Sequence, residues 1–352
     1  MKKKIYNFIY KLILSRQITY EIEVIAQNLN VPWAIDISND KRIYFTERSV
    51  SIRVIENNIL NPNSLIRFEL PFVAQGEGGL MGIALDPNYS QNHYIYVMHS
   101  YSDNNKILNR VIRLLERNNT LSIDKILLDQ IPDNQFHNGG RIKIGPDRKL
   151  YITTGDAQNP SLSQDTSSLA GKILRIELNG NIPIDNLFPN SPVYSLGHRN
   201  PQGLAWSSNN VLYSSEHGQS AHDEINLIIP GGNYGWPLVQ GYEDSNVITI
   251  QKPSVHSQEE TWAPSGIAFA NKGDWKDKLL VANLRGQQLL VMSLNDNKTE
   301  VINIESFFKN NYGRLREVIQ GNDGYIYIST SNRDGRGNPN EFDDKILRLV
   351  SK

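Results

Sequence analysis

The sequence predicts an all-β fold, a six-bladed β-propeller with four antiparallel strands per blade. Three observations carry this. A strand–turn–strand unit recurs six times along the chain, and a third strand follows each copy. The last unit stops at that third strand, while an unpartnered strand, "YEIEVIAQNL" from Tyr20, stands near the other end of the chain. Units that cannot bury their apolar faces alone must stack on one another. Pairing the N-terminal strand into the last blade closes the ring and removes an open sheet edge.

The copies read "PWAIDISNDKRIYFTE" from Pro32, "GLMGIALDPNYSQNHYIYVMHS" from Gly79 and "GRIKIGPDRKLYITTGD" from Gly140. They continue with "QGLAWSSNNVLYSSE" from Gln202, "SGIAFANKGDWKDKLLVAN" from Ser265 and "LREVIQGNDGYIYIST" from Leu315. Alternation with period two and polar turns mark them as β. The third strands are "RVIE", "RVIRLLE", "KILRIEL", "EINLII", "QLLVMSL" and "KILRLV". A more variable fourth strand fits "LIRFEL", "IDKILLDQI" and "EVINIE". No stretch past the N-terminus sustains a helical period. An open β-solenoid is the alternative stacking of the same units, and closure favours the propeller. Residues 20–352 are read as one propeller domain and residues 1–19 as an extension.

With 36 basic and 37 acidic residues among 352, the formal charge is −1, which gives no field to attract nucleic acid. The chain has no cysteine, so disulfides, thiolate metal sites and a cysteine nucleophile are excluded. The start, "MKKKIYNFIYKLILSRQ", joins a basic stretch to an apolar run from Ile5 to Leu14, as in the first regions of a signal peptide. Lys11 interrupts the run, no small-x-small cleavage site follows, and the run is short for a membrane span. Export to the periplasm is the expectation, with a plain amphipathic extension as the alternative.

The second strands all end at one rim, in Thr46-Glu47, His99-Ser100, Gly155-Asp156, Ser215-Glu216, Ala282-Asn283 and Thr330-Ser331. Polar groups are thus expected around one mouth of the central channel. His137 stands just before the first strand of the third unit, and imidazole accepts protons near neutral pH. Asp156 ends the second strand of the same hairpin and can approach His137 to orient it. An exposed loop histidine and a Gly-Asp turn are the plainer readings of these two.

In the fourth unit, Arg199-Asn200 precede the first strand and "EHGQSAHDE" follows the second. That loop offers Glu216, Asp223, Glu224 and backbone carbonyls near a glycine, an oxygen set that suits Ca²⁺. A solvated acidic loop is the alternative. "GGNYGWP" reads as a rigid turn packing Trp236. Arg285 and the Arg314/Arg316 pair of "GRLR" sit at the edges of units five and six. Two guanidinium groups on one strand face repel unless an anion lies between them. The ligand implied is small and polyanionic, with oxygens able to chelate a metal.

The segments "GEGGLMGIALDP", "HNGGRIKIGPDRKLYITTGD", "GHRNPQGLAW", "SEHGQSAHDEINLIIPGGNYGWP" and "GRLREV" resemble the soluble quinoprotein sugar dehydrogenases, over roughly Val31 to Leu349. The resemblance implies pyrroloquinoline quinone (PQQ), a three-carboxylate quinone, with Ca²⁺. It implies oxidation of an aldose at its anomeric carbon to a lactone, with electrons passed to an external acceptor. On that pattern His137 is the general base and Asp156 orients it. Arg199 stabilises the quinone oxygen, with Asn200 beside it, and Arg285, Arg314 and Arg316 pair with the carboxylates. Gly218 and Gln219 give carbonyls to Ca²⁺ on a loop supported by Asp223, and a second Ca²⁺ maps near Gln240, Tyr242 and Asp244. Glu77 stands where glucose-type members have glutamine and adds a negative charge near the cofactor. His217 replaces another glutamine, as in the aldose-type branch; Gln219 replaces the usual proline, and Arg285 a common lysine. Short loops imply a monomer with an open site. A Ca²⁺-dependent lactonase or esterase propeller and a non-catalytic binding propeller are the competing functions.

Overall fold

In the computed structural model, which describes residues 20–246 and 248–351, six antiparallel sheets follow one another around a ring. Blade one comprises Pro32–Ile37, Ile43–Glu47 and Ser51–Glu56, with a fourth position split between Ile59–Leu60 and Ile66–Arg67. Blade two runs through Leu80–Leu85, Tyr94–Asp103, Lys106–Arg117 and Thr120–Pro132; blade three through Ile142–Ile144, Leu150–Thr154, Lys172–Ile176 and Val193–Leu196. Blade four is Pro201–Trp206, Leu212–Glu216, Glu224–Ile228 and Val255–His256; blade five is Pro264–Phe269, Leu279–Asn283, Gln288–Leu294 and Val301–Phe307. Blade six takes Leu315–Gln320, Ile326–Thr330 and Ile346–Ser351 from the end of the described chain and Tyr20–Ala26 from its beginning.

That last pairing is the expected closure. Tyr20 lies opposite Ser351 and Ala26 opposite Ile346, and Arg348 ion-pairs with Glu23 across the seam. The first strands of successive blades touch in turn, and that of blade six touches that of blade one. The signal-like segment read in the sequence lies outside the described residues. Among the described residues no helix is long and apolar enough to cross a membrane.

Five of the six second strands are buried along their whole length, for example Ile43–Glu47, Leu150–Thr154 and Leu212–Glu216, and that of blade two is buried from Ile95 to Tyr101. Neighbouring blades cover both faces, so alternation here does not mean one wet face; it places apolar residues between blades and polar ones at the mouth. The outermost strands behave oppositely. Val301–Phe307 is exposed through its middle, and the fourth strand of blade four is only Val255–His256.

Below the mouth, the channel is filled. Trp33, Arg141 and Glu317 are almost wholly buried, and Arg141 of blade three pairs with Glu317 of blade six. The Arg141 guanidinium carbon lies 4.3 Å from the Trp33 ring centroid and that of Arg316 lies 5.6 Å from it. Arg141 Nε also donates to the Gln202 carbonyl at 2.9 Å, tying blade four into the same plug. Removing one member of a buried pair strands the other charge. Arg141→Met should therefore cost about 3–5 kcal/mol in denaturant unfolding, whereas Arg141→Met with Glu317→Leu should recover most of that loss.

Candidate active site

The loops at the mouth enclose a cavity of about 710 Å³ lined from all six blades. On one wall stands His137, in the left-handed backbone region at φ 64°. A non-glycine residue there marks a conformation fixed by its surroundings. The neighbouring chain is what fixes it. A Cβ on Gly155 would lie 2.0 Å from the His137 carbonyl oxygen, so only glycine lets the end of blade three's second strand pass so close. The His137 amide donates to Glu77 Oε2 at 3.0 Å.

His137 Nδ1 lies 2.7 Å from Asp156 Oδ1, the approach expected from the hairpin. Asp156 is fully buried and accepts two further bonds, from the Gln158 amide at 2.8 Å and the Trp236 indole nitrogen at 2.9 Å. Trp236, read in the sequence only as packing, is thus a hydrogen-bond donor to the carboxylate behind His137. Behind His137 also runs a buried polar chain: Ser100 donates to Asn109, Asn109 to Asn138, and Asn138 to the Asn134 carbonyl. Asp133 adjoins this chain with its Oδ2 buried and unpartnered, and burial pushes its carboxyl up to about 6.

On the opposite wall His198 stacks on Tyr234 and bridges Ser195 and Glu216, and Glu216 in turn accepts the Arg199 amide. Arg199 Nη1 reaches the His217 carbonyl at 3.3 Å, and its guanidinium carbon lies 5.4 Å from the Trp236 ring centroid. Arg199 Nε, Asn200 Nδ2 and His217 Nε2 are all buried, unpartnered and on residues lining the cavity. Burial holds the His217 imidazole down to about 4, so it is neutral at physiological pH. Asp223 organises the loop between them. Its Oδ1 accepts the Gly218 amide at 3.0 Å, and its Oδ2 accepts the Trp262 and Ala263 amides at 2.7 and 2.8 Å. No hydrogen bond among the described residues ends on the Gly218 or Gln219 carbonyl.

The third wall carries Arg285, Arg314 and Arg316. The anion between the last two is supplied by the protein itself. Asp334 Oδ2 accepts from Arg314 Nη2 at 2.8 Å and from Arg316 Nη2 at 3.2 Å. Arg316 Nη1 also donates to Gln202 Oε1 at 3.0 Å. Glu77, expected as an added charge beside the cofactor, is compensated: Arg336 Nη1 holds its Oε1 at 2.7 Å, and the cations around it keep its carboxyl below the usual range against the opposing effect of burial.

The rim residues stand at the mouth, as the sequence implied, but in a supporting layer. The rim residues Thr46, Glu47, His99, Glu216 and Asn283 do not line the cavity; they are buried supports for the loops that do. The second Ca²⁺ site expected near Gln240, Tyr242 and Asp244 does not find its side chains converging there, a correction to the sequence reading. Asp244 is 81% exposed and paired with Lys252, Tyr242 lies edge-on against His256, and the Gln240 amide donates to Glu243. Glu224 lies near them with its carboxyl pushed up to about 8, chiefly by burial and then by Glu216. Sequence reading assigned no site role to Arg48, Gln202, Asp334 and Arg336, and gave Trp236 only a packing one. The signal for Asp334 and Arg336 was positional, since they occupy in blade six the loop that carries "EHGQ" in blade four.

The model of the glucose/sorbosone dehydrogenase family matches residues 29–348. The chain belongs to that family. It is 34% identical over 307 residues to quinoprotein glucose dehydrogenase B of Acinetobacter calcoaceticus, a match covering 76% of this chain and 64% of that longer relative. Among solved structures, an oxidoreductase of Thermus thermophilus described as a glucose dehydrogenase superposes with a TM-score of 0.87 at 39% identity, covering 94% of this chain and 100% of the other. The PQQ-bound aldose sugar dehydrogenase of Streptomyces coelicolor gives 0.86 at 36% identity, covering 95% and 99%. The likeness in sequence and the likeness in fold point to the same family.

The raised Asp133 carboxyl has a consequence for stability. The unfolded chain ionises it near 3.8 and the folded chain near 6, so stability falls as pH rises through that window. Asp133→Asn should flatten the pH profile of unfolding there, by up to roughly 3 kcal/mol.

Proposed function

We propose that this chain oxidises an aldose at its anomeric carbon to the lactone, using PQQ with a calcium ion and passing the electrons to an external acceptor. One observation carries the reading: a histidine backed by a buried carboxylate faces a cavity whose other walls hold unpartnered polar groups and an excess of arginine. An oxygen-rich planar polyanion suits those walls. Arg285, Arg314 and Arg316 would hold its carboxylates, and Arg199 and Asn200 would meet its quinone edge with their free nitrogens. The unclaimed carbonyls of Gly218 and Gln219 are the hard-oxygen donors a calcium ion takes.

Within that frame each residue has a definite task. The Asp156 carboxylate accepts from Nδ1 of His137 and so leaves Nε2 as the lone-pair nitrogen. Nε2 takes the proton of the anomeric hydroxyl as the C1 hydrogen departs with its electron pair and the C1–O bond becomes the lactone carbonyl. PQQ, when bound, supplies the two-electron acceptor for that hydrogen, and calcium a Lewis acid beside it. Trp236 and the Gln158 amide keep the Asp156 carboxylate in place, so the imidazole is oriented before substrate arrives. The plug of Trp33, Arg141 and Glu317 fills the channel where a lactonase-type propeller would seat an ion on side chains, which supports the quinone reading over that one.

Titrating the purified protein with PQQ in calcium buffer should give a stoichiometric cofactor absorption band; no uptake removes the proposal. His137→Ala should retain the band while lowering dye reduction with aldoses by about 10²–10⁴-fold, and near-normal turnover would remove the base assignment. Arg314→Ala with Arg316→Ala should weaken PQQ binding by at least about tenfold, read as a shift of the titration midpoint.

A further inference from the structure

The charges around the cavity do not balance. Six arginines line it against three carboxylates, those of Glu77, Asp223 and Asp334. Three of the arginines, on blades five and six, match the three carboxylates of the proposed cofactor, and Arg199 lies apart from them beside Trp236. Arg48 and Arg336 remain. Both stand at Glu77, on the His137 side of the mouth. Arg48 Nη1 donates to the Gly76 carbonyl at 2.6 Å, one residue from Glu77, and Arg336 Nη1 holds Glu77 Oε1 at 2.7 Å. Arg48 stands among Asp334 and Glu77, whereas Arg336 is held by Glu77 alone through one of its nitrogens.

Arg336 presents its guanidinium group to the cavity. Its guanidinium carbon sits 4.9 Å from the centroid of the Phe136 ring, the residue preceding His137, which holds the fork in a defined orientation. The side chain is 50% exposed, and among the described residues Glu77 takes only Nη1. Nε and Nη2 are free to meet a planar anion from the cavity side. Glu77 ties this group to the base directly, since its other oxygen accepts the His137 amide at 3.0 Å. A sugar with its anomeric hydroxyl at His137 would share this cavity with Arg336.

We propose that Arg336, reinforced by Arg48, recognises an anionic group on the aldose remote from its anomeric carbon. The substrate class is then the acidic aldoses, either uronic acids or aldose phosphates. The inference rests on the functional reading above and narrows it.

The test uses the protein loaded with PQQ and calcium, assayed by dye reduction with D-glucose, D-glucuronate and D-glucose 6-phosphate. At least one acidic sugar should exceed glucose in kcat/KM by about tenfold, mainly through KM, and the advantage should shrink as salt rises. The two acids separate a carboxylate preference from a phosphate preference. Arg336→Gln, which can still hydrogen-bond Glu77, should raise KM for the preferred acid about tenfold more than for glucose, and Arg336→Lys should restore part of that difference. A readout without turnover is the binding of methyl β-D-glucuronide against methyl β-D-glucoside, followed through the cofactor absorption band. Equal use of neutral and acidic sugars, or an Arg336→Gln variant that shifts both alike, overturns the inference and leaves the proposed function standing. Failure to take up PQQ, or uptake without oxidation of any aldose, removes the proposed function and this inference with it.

Discussion

The structure depends on closure. Tyr20–Ala26 completes the sheet that Ile346–Ser351 would otherwise leave with an open edge, and the first strands of the six blades converge as a result. Convergence is what lets residues far apart in sequence share one cavity. Arg336 and Glu77 are 259 residues apart yet ion-paired, and Arg141 reaches Glu317 across 176. Without a closed ring the same loops would be ordinary turns on the ends of separate sheets.

Closure also explains which features were legible in the sequence. Each second strand is compressed between neighbours, so its apolar residues and its length are strongly constrained, and the repeat shows plainly from Pro32 to Thr330. The ring's outer strands carry little of that constraint. Val193–Leu196 and Val255–His256 are too short and too weakly patterned to be read as strands, although both pair in the sheets. The His137–Asp156 contact was legible because both residues belong to one hairpin, where sequence spacing dictates distance. Arg48 and Arg336 were not, because their partners, the Gly76 carbonyl and Glu77, lie on another blade, and Asp334 was not, because its pairing with Arg314 and Arg316 spans a long loop of its own blade. The finer role of the rim residues was hidden for a related reason: polarity at a strand end indicates proximity to the mouth, but burial decides whether a group faces the cavity or supports what does.

Much of the mouth is support. Glu216 engages His198 and the Arg199 amide, Asp223 gathers three amides, and Asp156 accepts three donors. Each carboxylate is satisfied by groups from more than one segment, so the loops are held in place before any ligand arrives. Asp334 belongs to this scheme while also standing between two arginines, where it quiets their repulsion.

The plug of Trp33, Arg141 and Glu317 has a kinetic meaning. Buried side chains stand beneath the cavity, whose lining comes from the loops of the mouth. On the function proposed above, a sugar delivering electrons and a carrier collecting them would both approach through the loops that enclose this cavity. Turnover of that kind would alternate, the sugar leaving as product before the carrier enters, so that the two half-reactions would be separated in time.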